Sequence, residues 1–294
     1  MGRLRTLRER ARADRWTRVW SMRSARDDKQ AQLIADLCAA RAAFAEQPGD
    51  EALGIWVGRR LGYLARYQEA VDHYTQLMRQ FGATPRLLRH RGHRFITLRQ
   101  FALAIEDLSL AQILAASLAT EIEPDGIVTP AGTRTTLQGN IIYHLALAHF
   151  LAGDLGAAAR WWQRAVDTAE NDDSLVAATY WLAITQFEAG RHEAARAALS
   201  RIRENGMDIR ENSSYHRLCL AFKGDVPIAA LEAADGPLGI GVDRATLGFG
   251  RAMHARHVQG DAAAADAELA ATSALPERAA FGVIAAEALA TGRK

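Results

Sequence analysis

Small and large apolar positions return along this chain at a spacing of 34 residues. Gly58, Tyr67, Ala70 and Tyr74 are followed by Gly92, Phe101, Ala104 and Leu108. A small residue is followed twelve positions later by an alanine at Gly58/Ala70, Gly92/Ala104, Ala146/Ala158 and Ala183/Ala195. Four residues beyond each alanine stands a large apolar side chain: Tyr74, Leu108, Trp162 or Leu199, with Leu269 following Ala265 in the same way. A period of this length marks a stack of like supersecondary units. Each unit reads as two antiparallel helices that cross where neither carries a bulky Cβ substituent, the large residue filling the space against the next unit. Tight turns are marked by Ala-Gly-Asp at 152–154, Ala-Gly-Arg at 189–191 and Gln-Gly-Asp at 259–261. Glycine there tolerates the left-handed conformation that closes a helix.

The pattern predicts a helix over 31–46, hairpins at about 51–81, 85–118, 139–170, 174–205, 211–235 and 244–273, and a last apolar helix over 276–291. The segments 211–235 and 244–273 fit least well, Met253 standing where a small residue is expected. Pro276 is placed to open the closing helix, and Glu287 to face water. No alternating strand pattern is present. The expected fold is therefore all-α: a right-handed α–α superhelix of about six hairpins with terminal capping helices, which hide the ends of the stacked core. One break interrupts it. Ala104 and Ala158 are 54 positions apart, one period plus 20, and the excess holds Pro124, Gly126, Pro130 and Gly132. A loop at about 119–138 is expected, and a loop of that length inside a repeat array is functional or disordered.

The glycine, alanine and aromatic positions resemble the tetratricopeptide repeat over roughly residues 50–276. Trp56 lies two residues before Gly58, and the repeat's terminal proline is matched by Pro85 and Pro276. Arg89–Arg94, Tyr143-His144, Glu211–His216 and Ala280–Ala288 further resemble blocks in a family of bacterial tetratricopeptide proteins. That resemblance implies a repeat architecture and a bacterial origin, and it brings no chemistry with it.

Charge alters the picture at one end only. The chain carries +2 overall, yet residues 1–30 hold nine arginines and Lys29 against Glu9, Asp14, Asp27 and Asp28, a surplus of six, so the remainder carries −4. Two regions follow: a basic arm over 1–30 and a repeat domain over 31–294. The arm reads as an interaction segment for nucleic acid or another acidic surface, as a solubilising tail, or as a product of starting at Met1 in place of Met22. No apolar run reaches the roughly eighteen residues of a membrane span. Cys38 and Cys219 read as small core residues of a reducing compartment, so the expected location is the cytoplasm.

The first helix of each hairpin should line the concave face. In the second hairpin Arg86, Arg89 and His93 share one helical face by steps of three and four, with His90 and Arg94 beside them. The third hairpin offers Asn140, Tyr143 and the adjacent His144, the fourth Tyr180 and Trp181, the fifth Tyr215 and His216, and the first Arg59. Together they predict a groove cationic at one end and aromatic at the other, suited to an anionic ligand with an apolar part. His144 and His216 also read as satisfied core histidines. His90/His93 and His254/His257 are pairs on helices, but a metal site needs further ligands, so no metal and no cofactor is expected. Glu121, Glu123 and Asp125 in the loop read as solvated. No phosphate loop, nucleophile elbow or His-Glu-x-x-His motif occurs; His93, His144 and Tyr143 form the one conceivable acid–base set. The leading expectation is a scaffold binding a protein or peptide partner in the groove. The alternative is an enzyme or receptor for a small anionic molecule, in a pocket closed by 121–138.

Overall fold

The structure, a computed structural model, describes residues 28–123, 134–233 and 239–290. The expected basic arm lies outside the described residues as far as residue 27, and so does the middle of the long loop. The chain divides into two compact units, one ending at Gly82 and the other beginning at Ala83.

In the first unit a helix over 28–46 (α1) precedes the hairpin of α2 (Glu51–Tyr63) and α3 (Tyr67–Phe81). Asp50 starts α2 by accepting hydrogen bonds from the Ala52 and Leu53 amides, the usual way of satisfying the free N–H groups of a first turn. Tyr74 of α3 lies flat over Gly58 of α2, where an added Cβ would stand 2.3 Å from its Cζ. His73 bonds the Gly54 carbonyl at 2.8 Å, and Arg60 pairs with Asp36 of α1 at 3.1 Å.

The second unit continues as hairpins. They pair α4 (Pro85–Thr97) with α5 (Phe101–Ala115), α6 (Leu137–Leu151) with α7 (Leu155–Asp167), and α8 (Asp172–Glu188) with α9 (His192–Leu199). Each helix packs on the next, and α4, α6 and α8 also pack on one another in turn, which is the α–α superhelical order that the period predicts. After them come α10 (Ser213–Lys223), α11 (Ile240–His254) with a π-helical turn over Ala255–Gln259, α12 (Ala262–Ser273) and α13 (Phe281–Ala290).

Several details differ from the sequence reading. Two of the large residues that follow an alanine fill space inside their own hairpin: Leu108 occupies the room above Gly92, as Tyr74 does above Gly58, whereas Trp162 stacks on Trp181 of the next hairpin as expected. The hairpin expected over 211–235 has only its first helix, because Gly224 leaves α10 at φ 86 and Pro227 leads into a short 3-10 turn over Ile228–Ala230. The closing helix starts at Phe281, five residues after Pro276, which lies in the connecting turn. The turns with glycine are joined by two without it, Ala65 at φ 58 and Arg99 at φ 63.

Glu287 is the largest departure. It does not face water: its carboxylate takes hydrogen bonds from Arg99 Nε and Nη2, at 2.9 and 2.6 Å, and pairs with Arg278 as well. Arg99 Nη2 also donates to the Arg278 carbonyl at 2.8 Å. These bonds tie α13 to the strained turn after α4. From there α13 runs along α6 and α11 with Val283, Ile284, Ala285 and Ala286 wholly buried. Gly282 permits the closest approach, since a Cβ there would stand 2.2 Å from the Ala245 carbonyl oxygen of α11.

That contact meets backbone, which cannot swing aside. Gly282→Ala should therefore lower the unfolding free energy in urea by about 3 kcal/mol or more. Gly156→Ala, on an exposed first turn with nothing nearer than 3.6 Å, should leave it unchanged or raise it by up to about 1 kcal/mol. Equal stability in both variants would show that α13 is not seated against α11.

Candidate functional site

Thr84 caps α4 by accepting from the Leu87 amide, and Pro85 occupies the first helical position. Arg86, Arg89 and His93 then fall on one face, as expected, but the face is not cationic. Arg86 pairs with Glu121 at 2.6 Å. Arg89 donates to Glu123 Oε2 at 2.8 Å, and Asn140 Nδ2 donates to the same oxygen at 2.6 Å. Both Arg89 and Glu123 are buried, so Glu123 is a buried counter-ion and not the solvated loop carboxylate anticipated. The base of the long loop delivers both acids. Glu123 N bonds the Thr135 carbonyl, Leu137 N bonds the Glu121 carbonyl, and Ile122 and Thr136 form an isolated antiparallel bridge.

Further along the face the expected aromatic set does converge. The rings of His93 and His144 lie 4.5 Å apart. Phe281, the first residue of α13, stands 5.5 Å from His93, 5.7 Å from His144 and 6.2 Å from Tyr143. Trp181 Nε1 donates to the Tyr143 hydroxyl at 2.9 Å, and the Tyr215 hydroxyl is 3.3 Å from each of these. Trp181 is itself held between Trp162, stacked at 6.0 Å, and Phe249 of α11, stacked at 5.5 Å. Within the second unit, then, the face that was to be an open groove is covered by α11 and α13. Tyr180 and Trp181 are core residues, 1% exposed.

The remaining candidates lie elsewhere. His216 turns away from the cluster and bonds the Arg203 carbonyl at 2.7 Å. Arg59 belongs to the first unit, where its guanidinium lies over Trp56 and bonds the Tyr63 hydroxyl at 2.7 Å. His90 Nδ1 is 3.0 Å from Arg89 Nη1. His254 and His257 part company: His254 packs on Phe222, while His257 bonds Glu188 at 2.7 Å and stacks on Phe187. Among the described residues no three His, Cys, Asp or Glu side chains come together as a metal site.

Two residues outside the sequence reading organise this region. Phe281 was read only as part of a capping helix. Asp173, buried at the start of α8, accepts from the amides of Arg210, Glu211 and Asn212 at 2.9–3.1 Å and from Arg134 at 3.2 Å, which fixes the approach to α10 and hence Tyr215. A single acid in a first helical turn carries no signal of such a role.

Protonation is set by burial. It pushes His93 well below its usual value and His144 down to about 3, with the Arg94 and Arg89 charges adding to the effect. It raises Tyr143 and Tyr180 well above the ordinary phenol range. A general acid or base works best with a pKa near the working pH. Burial thus favours the neutral form of each of these imidazoles and phenols.

The depressed His144 has a measurable consequence. Between about pH 6.5 and 3 the unfolded chain binds a proton on this residue that the folded chain refuses. Stability therefore falls on acidification, by up to about 1.4 kcal/mol per pH unit from this one group. The urea-unfolding free energy of His144→Phe should fall less steeply than that of the parent between pH 6.5 and 4.5. Parallel slopes would mean that the imidazole protonates freely inside the fold.

No family model and no curated protein matches the chain. Two solved structures are similar to it. One is the crystal structure of YrrB, described as "a TPR protein with an unusual peptide-binding site": 13% identity, 85% of this chain and 98% of that one, TM-score 0.45. The other is a tetratricopeptide repeat protein from Parabacteroides merdae ATCC 43184, at 13% identity over 88% of this chain and 94% of that one, TM-score 0.48. The chain's own hairpins, with Tyr74 over Gly58 and Leu108 over Gly92 one period later, make it an all-α helical-repeat protein.

Proposed function

We propose that this helical-repeat protein is a scaffold that binds a protein partner, and that it does so through the outer face of α5. Ten large hydrophobic side chains are exposed among the described residues, and six of them are Leu103, Leu110, Ile113, Leu114, Leu118 and Ile122. Ile113 is 67% exposed. Leu103, Leu110, Ile113 and Leu114 lie on α5, and Leu118 and Ile122 in the segment that follows it; a cluster of exposed apolar side chains marks an interaction site. Glu106 and Asp107 are the only charges on α5, and Asp107 is taken by Arg91, which donates to both its oxygens at 2.7 Å. A ridge with so little charge fits the apolar face of a partner helix. It displaces the concave groove of the sequence reading, which α11 and α13 cover in this unit. No helix among the described residues is long and apolar enough to cross a membrane.

The test is a double variant, Leu110→Glu with Ile113→Glu. Its unfolding midpoint should match the parent, because both side chains are exposed. Binding of the partner isolated with the parent protein should weaken by more than about thirtyfold, the loss of roughly 2 kcal/mol expected of hot-spot residues. Light scattering distinguishes a second copy of the chain as the occupant, since the parent would then associate and the variant would not. Retention of the same partner at the same affinity sinks the proposal.

A further inference from the structure

We infer that the accessible edges of His93, Tyr143, Tyr215 and Phe281 face one internal pocket, and that this pocket takes an uncharged flat group carrying an N–H or O–H donor, such as an aromatic amide or a phenol. This is a second site, on the opposite side of the hairpins from α5, and it does not depend on the partner-binding reading.

The first argument is geometric. The rings of His93, Tyr143 and Phe281 lie 4.5–6.2 Å from His144 or from each other, and the Tyr215 hydroxyl is 3.3 Å from that of Tyr143; each of the four still keeps part of its surface accessible. Rings that were simply packed together would be closed off, as Trp181 and Tyr180 are. They come from α4, α6, α10 and α13, so the space they share lies among four helices. This is where concave sites in helical folds are found.

The second argument is the hydrogen-bond inventory. His144 is 4% exposed, and its Nδ1 lies 2.6 Å from the Asn140 carbonyl. A carbonyl only accepts, so the proton is on Nδ1 and Nε2 is left as an acceptor. Nε2 has no partner among the described residues, and neither ring nitrogen of His93 has one. A ligand N–H or O–H would satisfy His144 Nε2, and His93 can then either donate to the ligand or accept from it.

The third argument is charge. The imidazoles and phenols are neutral, and Arg89 already has its counter-ion in Glu123. An anion would have to break that pair. A cation would lie beside the Arg89 guanidinium, which already engages the Glu123 carboxylate. Neutral ligands alone avoid both penalties. The ring faces of Phe281, His93 and Tyr143 favour a flat one, through edge-to-face or offset contact.

The experiment uses the full chain with four probes: benzamide and phenol, against benzoate and benzylammonium. The readout is the side-chain 15N signals of His144, which report both tautomer and hydrogen bonding. In the free protein Nδ1 should be protonated and Nε2 bare. Benzamide or phenol should move the Nε2 signal and raise the melting temperature, and the two charged probes should do neither. His93→Phe keeps a ring in place and should weaken benzamide at least tenfold. Leu110→Glu with Ile113→Glu should leave benzamide binding intact, so failure of one reading is visible separately from failure of the other. The inference is overturned if His144 carries its proton on Nε2, if no neutral probe moves that signal at millimolar concentration, or if benzoate binds as well as benzamide.

Discussion

The position of α13 is the constraint on which the second unit depends. Gly282 lets this helix approach the Ala245 carbonyl more closely than any side chain would allow, and Phe281 then points at His93, His144 and Tyr143. A helix lying on the face lined by α4 and α6 turns a surface into an interior. It accounts for the composition of α6, as α10 and Phe249 of α11 do for that of α8; both helices carry buried side chains around most of their circumference, from Ile141 to Leu151 and from Val176 to Phe187. A helix apolar all round must be covered on all sides. In an open repeat array, one side of these helices would be left in water.

Electrostatics follow from the same enclosure. A charge removed from water needs a partner, and each arginine on the buried side has one: Arg89 has Glu123, Arg91 has Asp107, Arg99 has Glu287. The histidines solve the problem by staying neutral. Arg89 therefore changes meaning. Read from sequence, it was the clamp for an anionic ligand. In the fold it neutralises Glu123, and its removal would strand a buried carboxylate at a cost of about 3–5 kcal/mol. Loss of binding in an Arg89 variant would thus report loss of structure.

What the sequence made legible was local. The period of 34 and the small residues at 58, 70, 92 and 104 revealed the hairpins, because helix pairing within a repeat is written in neighbouring positions. Steps of three and four placed Arg89 with His93, and the convergence of His93, Tyr143, His144, Trp181 and Tyr215 came out as the stacking of successive first helices implies. The rest required contacts between distant segments. Arg99 and Glu287 are 188 residues apart, and no periodicity links them. The segment after Pro276 was legible as an apolar helix with a glycine in it. That glycine was a clue to close approach, but nothing in the local pattern says which helix it approaches. Glu123 was misread for the same reason: a carboxylate in a Pro/Gly-rich loop is ordinarily solvated, and its burial depends on Arg89 and Asn140. The second half of the 211–235 hairpin failed locally, at Gly224 and Pro227.

Helix α5 carries two apolar stripes. Ala104, Leu108, Ala111 and Ala115 are wholly or almost wholly buried and serve the hairpin core at steps of four, three and four. Leu103, Leu110 and Leu114 lie about a third of a turn away on the exposed side, with Ile113 beyond them. One stripe suffices to seat a helix in a stack; the second adds nothing to the repeat. It leaves apolar surface in water at about 25 cal/mol for each Å² that a partner could have covered. The concave face shows the opposite arrangement, since the apolar surface there has been covered by the chain itself. A repeat protein with a self-filled interior and an unfilled outer ridge has exchanged the usual roles of its two faces. The ridge is then the place to look for a macromolecule, and the small polar remnant beside Phe281 the place to look for a ligand no larger than a side chain.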